Sequence, residues 1–243
     1  MRIKKRMVLF LLASSMLMGA QAQTTDYTQY VNPYIGNISH LLVPTFPTIQ
    51  LPNSMLRVYP ERADYTSEYV GGLPIIVTTH RERSAFNLLP QVGEKLMLKK
   101  NYTYDNEKIT PYSFEIGLDD GDMKGLFAVN HQSAIYEVCF ADGKTPSIVL
   151  SASDGGVKCG SNWMSGRQQV LGGASKKTFV YVYMEAEQTP AKVGVVENKG
   201  QLNTAKNAAD GKLTGVAMTF TPGTRKVRLR YGISFISEEQ AKA

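Results

Sequence analysis

The chain has 243 residues, 43% of them hydrophobic and 20% charged, with a formal charge of +6. That balance excludes collagen-like repeats, long coiled coils and wholesale disorder, and the length allows one large domain or two small ones. The positive charge suggests a nucleic-acid partner until it is located along the chain.

Arg2, Lys4, Lys5 and Arg6 precede an apolar run over 7–18, and Ala20-Gln21-Ala22 gives an A-x-A cleavage pattern. This predicts a secretory signal peptide over 1–22 with the mature chain starting at Gln23. The apolar run is too short for a spanning helix, which needs about 20 residues. No Cys follows the cut, so a bacterial lipid anchor is not indicated. Without the leader, 23 basic residues face 21 acidic ones, a balance of +2. The excess belongs to targeting rather than to a phosphate-binding surface. The expected product is secreted to a periplasmic or extracellular space, with no membrane span and no nucleic-acid partner.

Beyond residue 23, a short turn of helix is expected over 24–30. Strand signals follow over 74–79, 112–118, 125–129, 134–140, 147–150, 178–185, 216–220 and 226–236. The last is the clearest: Val227, Leu229, Tyr231, Ile233 and Phe235 share one face, opposite Lys226, Arg228 and Arg230. Period-two patterning with short connections predicts an antiparallel sheet with one buried face. Turn chemistry lies at Asp119-Asp120-Gly121-Asp122, Asp142-Gly143, Asp154-Gly155-Gly156, Gly172-Gly173, Asp210-Gly211 and Pro222-Gly223. Ser237 followed by Glu238-Glu239-Gln240-Ala241-Lys242 reads as a helix cap and the opening of a helix that is not completed. With no repeat and no low-complexity linker, one all-β domain is predicted over 23–243, a large antiparallel β-sandwich.

Motifs for chemistry are sparse. His40, His80 and His131 stand far apart, outside any metal-ligand spacing. There is no nucleophile elbow and no phosphate-binding glycine loop. The acidic stretch 119–122 lacks the spaced ligands and terminal Glu of a calcium loop, and a solvated hairpin turn is expected there. Cys139 and Cys159 are read either as two small buried side chains or as a disulfide favoured by an oxidising compartment. The Tyr residues at alternate strand positions read as packing. Trp163, the single Trp, gives little support for a sugar-stacking platform.

Three segments carry a resemblance. Val31-Asn32-Pro33-Tyr34-Ile35-Gly36 resembles the V-N-P-F-I-G opening of glycoside hydrolase family 92, the calcium-dependent exo-α-mannosidases. Thr45-Phe46-Pro47, then Pro52, Met55 and Pro60, is similar to that family's T-F-P-G-A-T-V-P-F-G-M-V-Q-L-S-P-D-T run. Tyr231-Gly232-Ile233-Ser234-Phe235-Ile236-Ser237-Glu238-Glu239-Gln240-Ala241 resembles the G-I-S-F-V-S-x-E-x-A that closes the family's amino-terminal domain. The resemblance implies a supersandwich-like β-sandwich packed against a larger (α/α)₆ domain. That second domain would carry the calcium site and the general acid and base of an inverting mechanism.

By this reading the chain is a scaffold and pocket-wall domain, inactive alone. No catalytic residue, metal ligand or cofactor is assigned to it. Its implied partners are a mannose-containing glycan and a helical-barrel domain in cis or trans. The loops depart from the family: G-G-H-G-H is replaced over 37–44, P-D-T by Pro60-Glu61-Arg62, and S-H-T-H-L-S-G keeps one His, at His80. Arg57, Glu61, Arg62, His80 and Arg81 are the candidate substrate-binding residues, at an edge facing either sugar or the second domain. Their side chains suit charge-assisted hydrogen bonds to hydroxyls. The competing readings are a stand-alone secreted carbohydrate-binding or adhesion module and an inert fragment of a broken gene.

Overall fold

The computed structural model describes residues 26–37, 45–62, 67–78, 84–170 and 178–243. The leader over 1–22, His40, His80, Arg81 and the Gly172-Gly173 turn lie outside these residues. The chain divides into two units, 1–31 and 32–243. The described end of the first holds a 3₁₀ helix, Tyr27–Tyr30, whose N-cap Asp26 accepts a hydrogen bond from the Thr28 amide.

The second unit is built from fourteen strands. They are β1 (Tyr69–Val70), β2 (Leu73–Pro74), β3 (Phe86–Val92), β4 (Tyr102–Ile109), β5 (Ser113–Leu118), β6 (Met123–Val129) and β7 (Ser133–Phe140). After them come β8 (Pro146–Cys159), β9 (Trp163–Val170), β10 (Thr178–Ala186), β11 (Lys192–Val196), β12 (Leu202–Asn203), β13 (Ala208–Thr219) and β14 (Lys226–Ser234), then one helix, α1 (Glu238–Lys242). Among the described residues the strand pairings are antiparallel, in the order β1-β4-β5-β6-β7-β14-β10-β9-β8-β13-β11-β12, with β3 joining β2 to β8.

The predicted β-sandwich is present, and β8 makes it possible. The first half of β8 pairs with β3 (Phe86↔Ala152 to Val92↔Pro146), and its second half pairs with β9 (Gly155↔Gln168 to Cys159↔Met164). β13 follows it along both halves. One long antiparallel pair, β8 with β13, therefore belongs to two layers. At the changeover the Ser153 amide loses its ladder partner and donates instead to the Gln168 side chain at 2.8 Å. Leu213, beside it on β13, takes a left-handed φ of 52°.

The core lies between the layers. Phe114, Phe127, Tyr136 and Tyr231 form a row across β5, β6, β7 and β14, with successive ring centroids 5.0, 4.8 and 6.1 Å apart. Buried tyrosines need partners for their hydroxyls. Tyr136 donates to the Pro74 carbonyl at 2.5 Å and Tyr231 to the Ile75 carbonyl at 2.8 Å. These two bonds hold the 73–77 segment against the inner face of the opposite layer. Desolvation pushes both phenols well above their ordinary pKa.

β14 matches its pattern: Val227, Leu229, Tyr231 and Ile233 are buried, and Lys226, Arg228 and Arg230 are exposed. The acidic stretch 119–122 is the tight turn between β5 and β6, with left-handed Asp119, Asp120 and Gly121 and a Lys100–Asp119 ion pair. Ser237 caps α1 by accepting from the Gln240 amide. Cys139 and Cys159 are free thiols, the second buried and its pKa pushed up to about 11 by desolvation.

Three expectations differ. Of the 74–79 signal only Pro74 lies in a strand, β2; Ile75, Ile76 and Val77 are buried as irregular chain, tied down by the Tyr231 hydroxyl and by the Arg57 carbonyl, and Thr79 lies outside the described residues. Asp154-Gly155-Gly156 and Asp210-Gly211 are not turns but face each other inside β8 and β13. Strands β1, β3, β4, β9, β11 and β12 have no counterpart among the predicted strand signals.

Candidate functional site

The candidate edge starts at Leu56. Leu56 and Val58 are fully buried, and an isolated bridge joins Val58 to Ile49. Alternation then turns the half-buried Arg57 outward. Tyr59 stacks on Phe46 at 4.6 Å with the rings 6° from parallel, which fixes the chain before Pro60. Desolvation raises the pKa of the Tyr59 phenol; Arg57 pulls it down and Glu61 pushes it up, so both charges lie close to this ring.

Each predicted residue has a different position. Arg57 uses its backbone to hold the next segment, accepting from the Val77 amide at 2.8 Å. The Glu61 carboxylate accepts from the Ser84 amide at 3.0 Å, and its carbonyl accepts from Gly71. Arg62 is turned inward, with 1% of its side chain exposed. Its guanidinium pairs with Glu107, donates to the Tyr104 hydroxyl at 2.9 Å and lies 4.8 Å from the Tyr104 ring centroid. A guanidinium committed to a buried carboxylate and an aromatic ring positions the edge; removing it would strand the Glu107 charge, at about 3–5 kcal/mol. The structure brings Arg57, Glu61 and Arg62 onto one short segment. His80 and Arg81 lie outside the described residues. The partners Tyr104 and Glu107 are more than 40 positions downstream of Arg62, and no local signal joins them to it.

A second concave surface lies on the outer face of β8, β9, β10 and β13. Register aligns Tyr181, Arg167, Gly156 and Asp210 in one row across the four strands. Arg167 and Asp210 form an exposed ion pair at 3.5 Å, and Arg167 packs 5.0 Å from the Phe179 ring centroid. The next row is covered by α1: Glu238 accepts from Ser165 at 2.8 Å and pairs with Lys158 at 3.1 Å. Beyond it, Trp163 stacks on Tyr183 at 5.6 Å. The uncovered row and the start of α1, with Ser237, Glu238 and Glu239, line a groove of about 660 Å³. On the far side of α1, a wider groove of about 970 Å³ runs past Tyr183, Arg230 and His131. The sequence reading missed the first row because its members come from four strands, three of them unrecognised or mistaken for turns at these positions.

Among the described residues no three His, Cys, Asp or Glu side chains gather as metal ligands, and no helix is long and apolar enough to cross a membrane.

Comparison with known proteins follows this geometry. The model of the glycosyl hydrolase family 92 N-terminal domain matches residues 30–234. The fold is shared with the family GH92 inverting mannosidase BT2199 of Bacteroides thetaiotaomicron VPI-5482, at a TM-score of 0.77 and 22% identity, over 90% of this chain and 33% of that one. It is similar also to the family GH92 α-mannosidase BT3965 of the same species, at a TM-score of 0.73 and 18% identity, over 88% of this chain and 34% of that one. The gh92 family glycosyl hydrolase ccman5 is comparable, at a TM-score of 0.74 and 18% identity, over 89% and 34%. No curated protein matches by sequence. The chain spans about one third of the length of these solved relatives. With its family model covering most of the sequence and its β-sandwich superposing on theirs, the chain belongs to the glycosyl hydrolase family 92 N-terminal domain family.

Proposed function

We propose that this chain is the amino-terminal scaffold of a secreted α-mannosidase-like glycoside hydrolase. A helical-barrel domain, in cis or in trans, supplies the groups that break the bond. The observation that supports this most is the unequal coverage, nine tenths of this chain against one third of the inverting mannosidase. In the assembled enzyme one carboxylic acid protonates the glycosidic oxygen while an opposed carboxylate activates water. Both roles, and the calcium expected in the complete enzyme, are assigned to the second domain. This chain contributes an edge: Arg57 offers donors to a glycan hydroxyl or to the partner domain, and Arg62 with Glu107 keeps that edge rigid. His80 and Arg81 are proposed for the same edge from the sequence alone. The product is exported, with its leader removed before Gln23.

Purified 23–243 assayed with α-mannosides and calcium should show no turnover, and joining it to a family 92 helical domain should restore it. Turnover by this chain alone overturns the division of roles. In the joined enzyme, Arg57→Ala and His80→Ala should weaken glycan binding or turnover; unchanged kinetics removes both from the site. Export is checked by sequencing the amino terminus of periplasmic material, which should begin at Gln23.

A further inference from the structure

We propose that the groove on the outer face of β8, β9, β10 and β13 is a second carbohydrate site, for a neutral pyranose with adjacent free hydroxyls. The proposal rests on the reading of the chain as a carbohydrate-handling domain, but it places a sugar away from the edge at Arg57.

Charge selects the ligand class. Two cations and three carboxylates line the groove: Arg167 pairs with Asp210, Lys158 pairs with Glu238, and Glu239 is hydrogen-bonded by Ser237 at the start of α1. Both cations are committed, so a phosphate finds no uncompensated partner there. A hydroxyl both donates and accepts, whereas guanidinium only donates and carboxylate only accepts. Two vicinal hydroxyls can therefore bridge a donor and an acceptor held side by side, as Arg167 and Asp210 are at 3.5 Å. That pair is exposed, with 49% and 70% of the side chains open. Such pairs contribute about 0–1 kcal/mol, so sharing their hydrogen-bonding capacity with a ligand costs little.

Shape agrees with charge. Gly156 forms the floor between the two partners, and a Cβ there would stand 2.6 Å from the Asp210 carboxylate. The missing side chain lets that carboxylate lie across the row. Phe179 supports the Arg167 guanidinium from one side, and the half-buried Tyr181 gives the groove an aromatic wall for the apolar face of a sugar ring. The volume of about 660 Å³ lies within the span of small-ligand sites, about 300–1,000 Å³.

The test is a titration of the chain with methyl α-mannoside and with α-mannotriose by calorimetry. Trp163 emission serves as a second signal, since the single Trp stacks on Tyr183 in the neighbouring row. Saturable binding is expected with a Kd on the order of 1 mM. Arg167→Ala and Tyr181→Ala should weaken it about tenfold or more. Asp210→Asn, which keeps the shape and removes the charge, should do the same with an unchanged melting temperature. Arg225→Ala, which removes the exposed pair with Asp142, should leave it intact. The proposal is overturned if neither sugar saturates, if Arg167→Ala and Asp210→Asn bind as the parent does, or if inorganic phosphate binds as well as sugar. Binding lost in Arg57→Ala but kept in Arg167→Ala also overturns it, moving the sugar to the other edge. The two-part enzyme reading is decided separately, by the turnover of the joined domains.

Discussion

Strands β14 and β8 are separated by two strands in the sheet, β10 and β9, and are built on opposite rules. Along β14, buried and exposed residues alternate from Lys226 to Tyr231. Its inner face holds Leu229 and Tyr231, and its outer face is a ladder of charge. Along β8, Pro146 through Ala152 are all buried, whatever direction they point, and the following residues turn exposed and glycine-rich. The difference is one of neighbours. β14 has a single wet face, so period two is written into it. The first half of β8 has β3 and β13 beside it and packed chain on both faces, so even its polar residues are buried and bond within the fold, Ser147 with Thr219 at 2.9 Å and Ser151 with the Asn87 carbonyl at 3.4 Å.

This contrast can be broken by substitution at neighbouring positions. Leu150→Ala and Val149→Ala should both be costly, because both residues are fully buried; large-to-Ala changes in such sites cost about 2–5 kcal/mol. In β14 only one parity should matter: Leu229→Ala should fall in the same range, while Arg228→Ala should stay within about 1 kcal/mol. Urea melts of the four variants decide it. A Val149→Ala change as mild as Arg228→Ala would mean that the first half of β8 has a wet face after all.

Next in size is the glycine-rich half. A Cβ at Gly155 would sit 2.0 Å from the Arg167 carbonyl oxygen, backbone that cannot swing aside. Gly155→Ala should therefore destabilise by about 1–3 kcal/mol, as overpacking does, with the added readout of faster amide exchange along β9. At Gly143, in the turn between β7 and β8, a Cβ meets nothing within 4 Å, so Gly143→Ala should cost only the strain of its φ of 72°, about 1–2 kcal/mol, and leave β9 exchange unchanged.

The same two glycines show what was legible in the sequence. Asp142-Gly143 and Asp154-Gly155-Gly156 look alike as strings, and only the first ends a strand. A glycine that permits a turn and a glycine that lets a third strand approach differ only in what lies opposite, which local sequence does not contain. β3 was hidden for a related reason: Pro90 interrupts its pattern, yet β2 pairs only with Leu88 and Asn87. Pro90 thus has β8 as its one ladder neighbour. The fold class and β14 were readable because alternation, turns and caps are local. At the candidate edge, the charges of Arg57, Glu61 and Arg62 and their place around the family-like Pro60 followed from the sequence. The burial of Arg62 did not, because Glu107 and Tyr104 reach it through the fold alone.

The smallest expected effect concerns the outer face that makes β14 so readable. Glu137 on β7 is hydrogen-bonded by Lys226 and Arg228, which hold its carboxyl below its ordinary pKa of 4.5. Arg228 is shared with Glu187 at 3.4 Å. A carboxylate whose pKa is depressed by folding adds stability above its unfolded pKa, and the contribution disappears as pH falls through the folded value. Between pH 6 and the acid limb, the chain should therefore lose a small increment that Glu137→Gln lacks from the start. The increment should be below about 1 kcal/mol, since the two basic side chains are nearly half exposed. Added salt should shrink it further by screening. Melts of the parent and Glu137→Gln at pH 7 and pH 3, each at low and high salt, measure it. A difference that grows as the pH falls would reverse the assignment, making Glu137 a group that the fold prefers protonated.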